Sequence, residues 1–173
     1  MCIRDSVGTY GNFSIGKPVD APMFSVAINP SDPNQVAAAS GDEGVLLSND
    51  GGATWQSGVA PMKRVAAIGF AASDANVIYA AAMGDGVWKS ADKGKTWANV
   101  SSGLGAKVEV RDIIVSPANA DQVRGIASDG WSGVFIASDD GGKTWRTAKS
   151  LKPDPVNNPT LPDETKGLSL IHI

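Results

Sequence analysis

Ser48-Asn49-Asp50-Gly51-Gly52-Ala53-Thr54-Trp55 returns twice along the chain, as Ser90-Ala91-Asp92-Lys93-Gly94-Lys95-Thr96-Trp97 and as Ser138-Asp139-Asp140-Gly141-Gly142-Lys143-Thr144-Trp145. Ser, Asp, Gly, Thr and Trp keep the same places in all three copies. The tryptophans lie 42 residues apart (55 to 97) and then 48 (97 to 145). A period of about 40–50 residues marks a propeller blade or another repeat array. The chemistry of the box is that of a turn. Gly takes positive φ without steric cost, and an Asp carboxylate accepts from nearby backbone N–H groups. Ser adds a second side-chain bond to the backbone. Thr-Trp then opens a strand, and a Trp stabilises a fold when its large surface is buried. Each box therefore reads as a hairpin turn pinned by its own side chains. A catalytic or metal-ligating residue has no reason to be copied three times at blade spacing.

Working outward, each period holds four short apolar runs, A to D. In the first period they are Phe24 to Ile28, Val36 to Ala39, Val45 to Leu47, and a run opening at Trp55-Gln56-Ser57. The second has Val65 to Phe70, Val77 to Ala81, Val87 to Lys89, and Thr96 onward. The third has Val110 to Val115, Gln122 to Ala127 and Val134 to Ala137 before its box. The A–B connections, Asn29 to Asn34 and Ala71 to Asn76, are expected as six-residue turns, the first dense in turn formers. One extra residue between Gly133 and Ser138 predicts a β-bulge in the third period. Run A is the most apolar and is expected innermost. The fold class is thus all-β: a fragment of a β-propeller with about three four-stranded antiparallel blades, the box lying between strands C and D. The blades are expected at 23–61, 62–105 and 106–150, after a remnant of a preceding blade at 7–22 and before a Pro-rich loop at 151–167.

Both ends read as scars rather than protein. Met1-Cys2-Ile3-Arg4-Asp5-Ser6 and Leu168-Ser169-Leu170-Ile171-His172-Ile173 can be translated from opposite strands of one nucleotide string. That string resembles the transposon end used in preparing sequencing libraries, so 1–6 and 168–173 are excluded from the fold. With them go the only cysteine and the only histidine of the 173 residues. No disulfide, Cys/His zinc site or His-dependent triad remains; no metal and no cofactor is expected. A net charge of −3 with scattered Lys and Arg gives no footprint for nucleic acid. No apolar run approaches the ~18 residues of a membrane span. With 42% hydrophobic residues, Gly 20 and Pro 10 suit many strands and turns.

The boxes, with Ile28-Asn29-Pro30 and Gly86-Val87-Trp88-Lys89-Ser90, resemble the Asp-box (bacterial neuraminidase repeat, BNR) β-propellers. That superfamily includes sialidases, xyloglucanase-type endoglucanases, sortilin-like receptors and a photosystem assembly factor. The resemblance covers Met23 to Trp145 and implies a structural box at the blade periphery, away from the ligand face. It implies an extracellular or periplasmic setting.

Strand direction places the B–C loops and D–A connections on one end, where propellers usually bind. That end receives Asp42 and Glu43, Asp85, and Asp129 with Trp131; Lys63, Arg64, Lys107 and Arg111 come from the connections. Asp42, Asp85 and Asp129 are the candidates for catalysis, and Glu43, Arg64 and Trp131 for ligand binding. Carboxylates hydrogen-bond hydroxyls and an indole stacks on a sugar face; equally, Asp before Gly is a common turn residue and Trp131 can fill a gap between blades.

Two functions follow. One is a non-catalytic binding or scaffold module of a larger exported protein, its partner a carbohydrate, another protein or the remaining blades of the chain. The other is part of a glycoside hydrolase, which needs two flanking carboxylates. A sialidase is disfavoured because the Arg-Ile-Pro motif expected before the first box is absent. A xyloglucanase-like enzyme fits the repeat better, though its paired Asp motifs are not recognisable. The reading leans to the module. Three blades cannot close a ring of four to eight, so the fragment is expected to expose two sheet faces and to be oligomeric or poorly soluble.

Overall fold

The computed structural model describes residues 22–57, 59–105, 108–128 and 133–147. The scars, residues 7–21 of the expected remnant, Lys107, Asp129, Trp131 and the Pro-rich loop lie outside the described residues. Three antiparallel meanders follow one another. The first is β1 (Met23–Asn29), β2 (Asp32–Ser40) and β3 (Gly44–Ser48). The second is β4 (Val65–Ala71), β5 (Asp74–Ala82), β6 (Gly86–Ser90) and β7 (Ala98–Asn99). The third is β8 (Glu109–Val115), β9 (Val123–Ser128), β10 (Gly133–Ser138) and β11 (Arg146–Thr147). No helix among the described residues is long and apolar enough to cross a membrane. The architecture is all-β, with the meanders as consecutive propeller blades and β1, β4 and β8 as their inner strands.

The three sheets share one register. The rung Ser25–Ala39–Val45 of blade one recurs as Ala67–Ala81–Val87 and as Asp112–Ile126–Phe135. On the other face, Val26–Ala38–Leu46 recurs as Ile68–Ala80–Trp88 and Ile113–Gly125–Ile136. Side chains alternate between sheet faces, so each blade has one face toward its predecessor and one toward its successor. Ala37, Ala39 and Val45 meet Ile68, Phe70, Ile78 and Ala80 in the first junction. Tyr79, Ala81 and Val87 meet Val110, Ile113 and Val123 in the second. The alanines let the sheets approach where the facing residues are large. Gly69 lies in the same layer, where an added Cβ would make ordinary contact with Val115 at 3.7 Å.

Three sequence expectations need correction. The fourth strand of blade one is a single bridge, in which Leu47 and Gln56 exchange backbone bonds of 3.0 and 2.8 Å. Gly58 and Pro61 follow at once and do not favour a longer ladder. The six-residue A–B turns shrink to Pro30–Ser31 and Ala72–Ser73. The polar residues beyond fold onto their own backbone: Asp32 Oδ1 accepts from Asn34 N–H (3.1 Å), Asp74 Oδ1 from Asn76 N–H (3.0 Å) and Asn119 Oδ1 from Asp121 N–H (2.9 Å). That self-satisfaction lets pairing start at Asp32 and Asp74. Finally, the bulge expected before Ser138 is absent, because β9 and β10 pair without a shift. The extra residue adds a rung instead, Glu109–Ser128–Gly133, beyond the Val110–Ala127–Val134 rung that matches the last rungs of the other blades. Shifts fall on the inner strands at equivalent places in all three blades, at Phe24, Ala66 and Arg111, and blades one and two have a second shift at the A–B end, between Ile28 and Asn29 and between Phe70 and Ala71.

The Asp-box end and the candidate ligand face

The boxes repeat a hydrogen-bond pattern almost to the tenth of an ångström. Ser48 Oγ donates to Asp50 Oδ1 (2.8 Å) and accepts from the Gly52 N–H (2.8 Å). Thr54 donates its N–H to Asp50 Oδ1 (2.8 Å) and its hydroxyl to Asp50 Oδ2 (2.5 Å). Ser90, Asp92, Gly94 and Thr96 do the same at 2.8, 2.8, 2.8 and 2.6 Å. Ser138, Asp140, Gly142 and Thr144 follow at 2.8, 2.9, 2.9 and 2.5 Å. Both oxygens of each aspartate are thus taken by the turn. The fourth residue of each box then donates its N–H to the chain at the start of strand B of its own blade: Gly51 to Asn34 O, Lys93 to Asn76 O and Gly141 to Asp121 O, each at 2.9 Å. Gly51 and Gly141 have φ of 71° and 75°, and Lys93 adopts the same left-handed conformation at 62°.

The box also joins blades. A Cβ at Gly94 would press on the Leu47 side chain (2.5 Å), and one at Gly142 on Val100 (2.7 Å), both on the preceding blade. Trp145 donates its indole N–H to Val100 O (2.6 Å) and Gly142 O (3.1 Å) and is buried in the second junction. Trp97 donates to Gly94 O (3.0 Å) and packs against the first. Trp55 holds the equivalent place in box one and is half-buried. Lys89 crosses the second junction to Asp121 (3.1 Å) with its ammonium 5.3 Å from the Tyr79 ring centre, while Tyr79 Oη donates to Ala120 O (3.0 Å).

These bonds hold the box carboxyls well below the ordinary value of 3.8. The Thr54 hydroxyl, then the Thr54 N–H and the Ser48 hydroxyl, bring Asp50 to about 2. Thr96 and Ser90 do the same for Asp92, and Thr144 and Ser138 for Asp140. The folded carboxylates release protons more readily than the unfolded ones. Their contribution is therefore complete above about pH 4 and is lost as pH falls toward 2. Melting between pH 5 and pH 2 should show a falling midpoint, and Asp92→Asn should show a shallower fall. An unchanged slope in Asp92→Asn would remove box two from the account.

At the opposite end, the B–C loops meet the D–A connections as strand direction requires. Arg64, at φ 54°, donates its N–H to Gly41 O (2.8 Å), and its carbonyl accepts from Met83 N–H (2.9 Å). Its backbone therefore staples the loop of blade one to that of blade two, while its side chain is exposed. Ser101 Oγ accepts from Val87 N–H (2.8 Å) and lies against Gly86. Asp42 and Asp85 are exposed and Glu43 is half-buried, its N–H donating to Ser40 Oγ (3.3 Å).

A cleft of about 500 Å3 opens here, lined by Asp85, Asn99, Ser101, Ser102, Leu104 and Val108 with three glycines. The Asp85 main-chain oxygen accepts from Trp88 Nε1 (3.2 Å) and Asn99 Nδ2 (2.8 Å). Among the described residues, the Asp85 carboxylate is the single acidic side chain of the lining. Asp42, Glu43 and Arg64 do not line this cleft, and Asp129 and Trp131 lie outside the described residues. Asn99, Ser101 and Ser102 were not among the candidates, because Asn-Val-Ser-Ser reads as a solvated connection. Their signal is the D–A position just after the second box. Among the described residues, no three His, Cys, Asp or Glu side chains come together as a metal site.

Repeated meanders, box-sealed junctions and a loop face define a β-propeller segment. A BNR/Asp-box repeat model matches residues 136–147, covering the whole of the third box with the end of β10 and β11. The chain thus carries the BNR/Asp-box repeat on β-propeller blades. No curated protein matches it in sequence. Among solved structures it is similar to an ancestral GH74 enzyme (21% identity over 75% of this chain and 20% of that one, TM-score 0.63). It is also similar to the GH74 xyloglucanase from Xanthomonas campestris (19% identity, 70% and 22% covered, TM-score 0.55). A third similar structure is YCF48 bound to D1 peptide (17% identity, 75% and 42% covered, TM-score 0.61). The chain thus spans between 20% and 42% of the length of these proteins.

Proposed function

We propose that this segment serves as a non-catalytic binding or scaffold module within a larger, exported propeller protein, extracellular or periplasmic in setting. The observation that carries this reading is the commitment of the conspicuous carboxylates. Asp50, Asp92 and Asp140 spend both oxygens on their own turns, and the loop-face cleft has one acidic side chain among the described residues. One carboxylate serves as a hydrogen-bond acceptor for a ligand, whereas most glycosidases need two across the bond. Exposed amides and hydroxyls from Asn99, Ser101 and Ser102 suit a polar ligand, either a carbohydrate or an extended peptide. Peptide binding by a similar propeller, YCF48, supports the peptide arm.

The second reading, part of a glycoside hydrolase, draws on the exposed Asp85 in that cleft and on the two similar GH74 structures. Screening the chain against polysaccharides and peptides, with reducing-end release as a parallel readout, separates the two. Binding without release, weakened by Asp85→Asn and untouched by Asp42→Asn, is expected. Reducing ends released by the chain and lost in Asp85→Asn would overturn the module reading.

A further inference from the structure

The two junctions share one register but are filled differently at the box end. In the second, Lys89 Nζ lies 3.1 Å from Asp121 Oδ1 and 5.3 Å from the Tyr79 ring centre. The places of Tyr79 and Lys89 in the first junction hold Ala37 and Leu47, which pair as those two do. The place of Asp121 holds Asn76, whose carbonyl accepts from box two as that of Asp121 does from box three. A phenol and an ion pair thus give way to a methyl, an isobutyl group and an amide. A cleft of about 340 Å3 opens beside Leu47, between blades one and two.

The walls of this cleft are of two kinds. Val36, Leu47, Val59 and Phe70 supply carbon, and Lys93 and Lys95 join the amides of Asn49 and Gln56. Among the described residues no acidic side chain lines it. Neither lysine forms an ion pair with a described residue. Asp50 and Asp92, the sequence neighbours of Asn49 and Lys93, bond both oxygens within their own turns. Lys93 stands against its backbone preference, at φ 62° where the other boxes have Gly51 and Gly141. At Gly141 a side chain is shut out, since a Cβ would meet Asp121 Oδ1 at 2.6 Å and Lys89 Nζ at 2.8 Å. With Leu47 and Asn76 in place of that pair, box two admits a lysine.

We propose that this cleft binds a small apolar carboxylate, its hydrocarbon part against Val36, Leu47 and Phe70 and its anionic head held by Lys93 and Lys95. The volume falls in the range of small-molecule pockets, about 300–1,000 Å3. A single anionic head on a carbon body matches two cations set beside carbon walls. Both lysines are exposed, so each attracts the head modestly. Removing hydrocarbon from water against the apolar wall supplies the rest. The cleft shares no residue with the one on the loop face.

Titrating the isotope-labelled 173-residue chain with phenylbutyrate and with its uncharged amide, followed by backbone amide signals, tests this. The carboxylate is expected to bind about tenfold more tightly than the amide, with about threefold from each lysine. Its binding is expected to move the signals of Leu47 and Gln56. Lys93→Gly and Lys95→Met are each expected to lose about threefold for the carboxylate and nothing for the amide. Lys93→Gly restores the residue that the other two boxes carry at this φ, so it folds at least as well as the parent. Lys143→Met, at the place of Lys95 in box three, is expected to leave the affinity unchanged. Equal affinity for the two compounds, binding of neither, or lysine variants that bind the carboxylate like the parent would overturn the proposal. Signals that move at Asp85 and Ser101 in place of Leu47 and Gln56 would overturn it as well, because the carboxylate then sits on the loop face.

Discussion

Trp145→Ala lowers the free energy of unfolding by about 3–5 kcal/mol, the range for truncating a buried aromatic. The indole lies in the second junction, and its N–H bonds a carbonyl of each of two blades. Truncation leaves a cavity between sheets and frees Val100 O within it. Trp55→Ala removes the same side chain from the same box position, yet that indole is half-buried and its ring lies beside Gly52, within its own box. Its loss is expected on the order of 1 kcal/mol, the centre for ordinary substitutions. Urea unfolding followed by far-ultraviolet dichroism measures both. Equal losses would show that the tryptophan stabilises its own turn and not the junction.

Gly44→Ala is the second large effect, about 3 kcal/mol destabilising. Gly44 opens β3 at φ 78°, and an added Cβ would run into the main-chain oxygen of Met62. A left-handed L-residue costs about 1–2 kcal/mol, and overpacking adds about 1–3. Met62 is buried in the connection that covers the first junction, so its carbonyl has little room to retreat. Gly84→Ala isolates the first cost: its φ is 80° and nothing lies within 4 Å of the added carbon. Thermal melts of the two variants should differ clearly. A Gly44→Ala protein as stable as Gly84→Ala would show that the connection after box one yields easily.

Much of this was legible because the repeat reports on itself. Three copies of Ser-x-Asp-x-Gly-x-Thr-Trp located every C–D turn, and the apolar runs between them supplied strands A to C. What escaped was set by pairing rather than composition. The residue added between Gly133 and Ser138 is compatible with a bulge or with a longer ladder, and only the partner strand β9 decides between them. The A–B turns looked long because Asp32, Asn34, Asp74 and Asn76 are turn formers; their Asx bonds hold these residues on their own backbone, so that Asn29–Asp32 and Ala71–Asp74 pair beyond a shift in register. The exposed Val26, Ile28, Ile126 and Phe135 are indistinguishable in sequence from core. Asp42, Asp85 and Asp129 were grouped because their loops share an end of the molecule, but strand order fixes an end and not a distance. Asp85 lines the cleft, together with connection residues that carry no motif, and Asp42 does not, while Asp129 lies outside the described residues.

The added rung in blade three has a consequence for how such a protein changes over generations. At the box end, the start of strand B and the C–D turn of each blade are tied by main-chain bonds, so an inserted residue there would break a link. At the other end, the hairpin between β9 and β10 took in its surplus by zipping one pair further toward solvent, and the rungs beneath kept their partners. Lengthening is thus absorbed at the rim before it reaches a junction. New binding chemistry can be tried on that rim one loop at a time, at no expense to the register below.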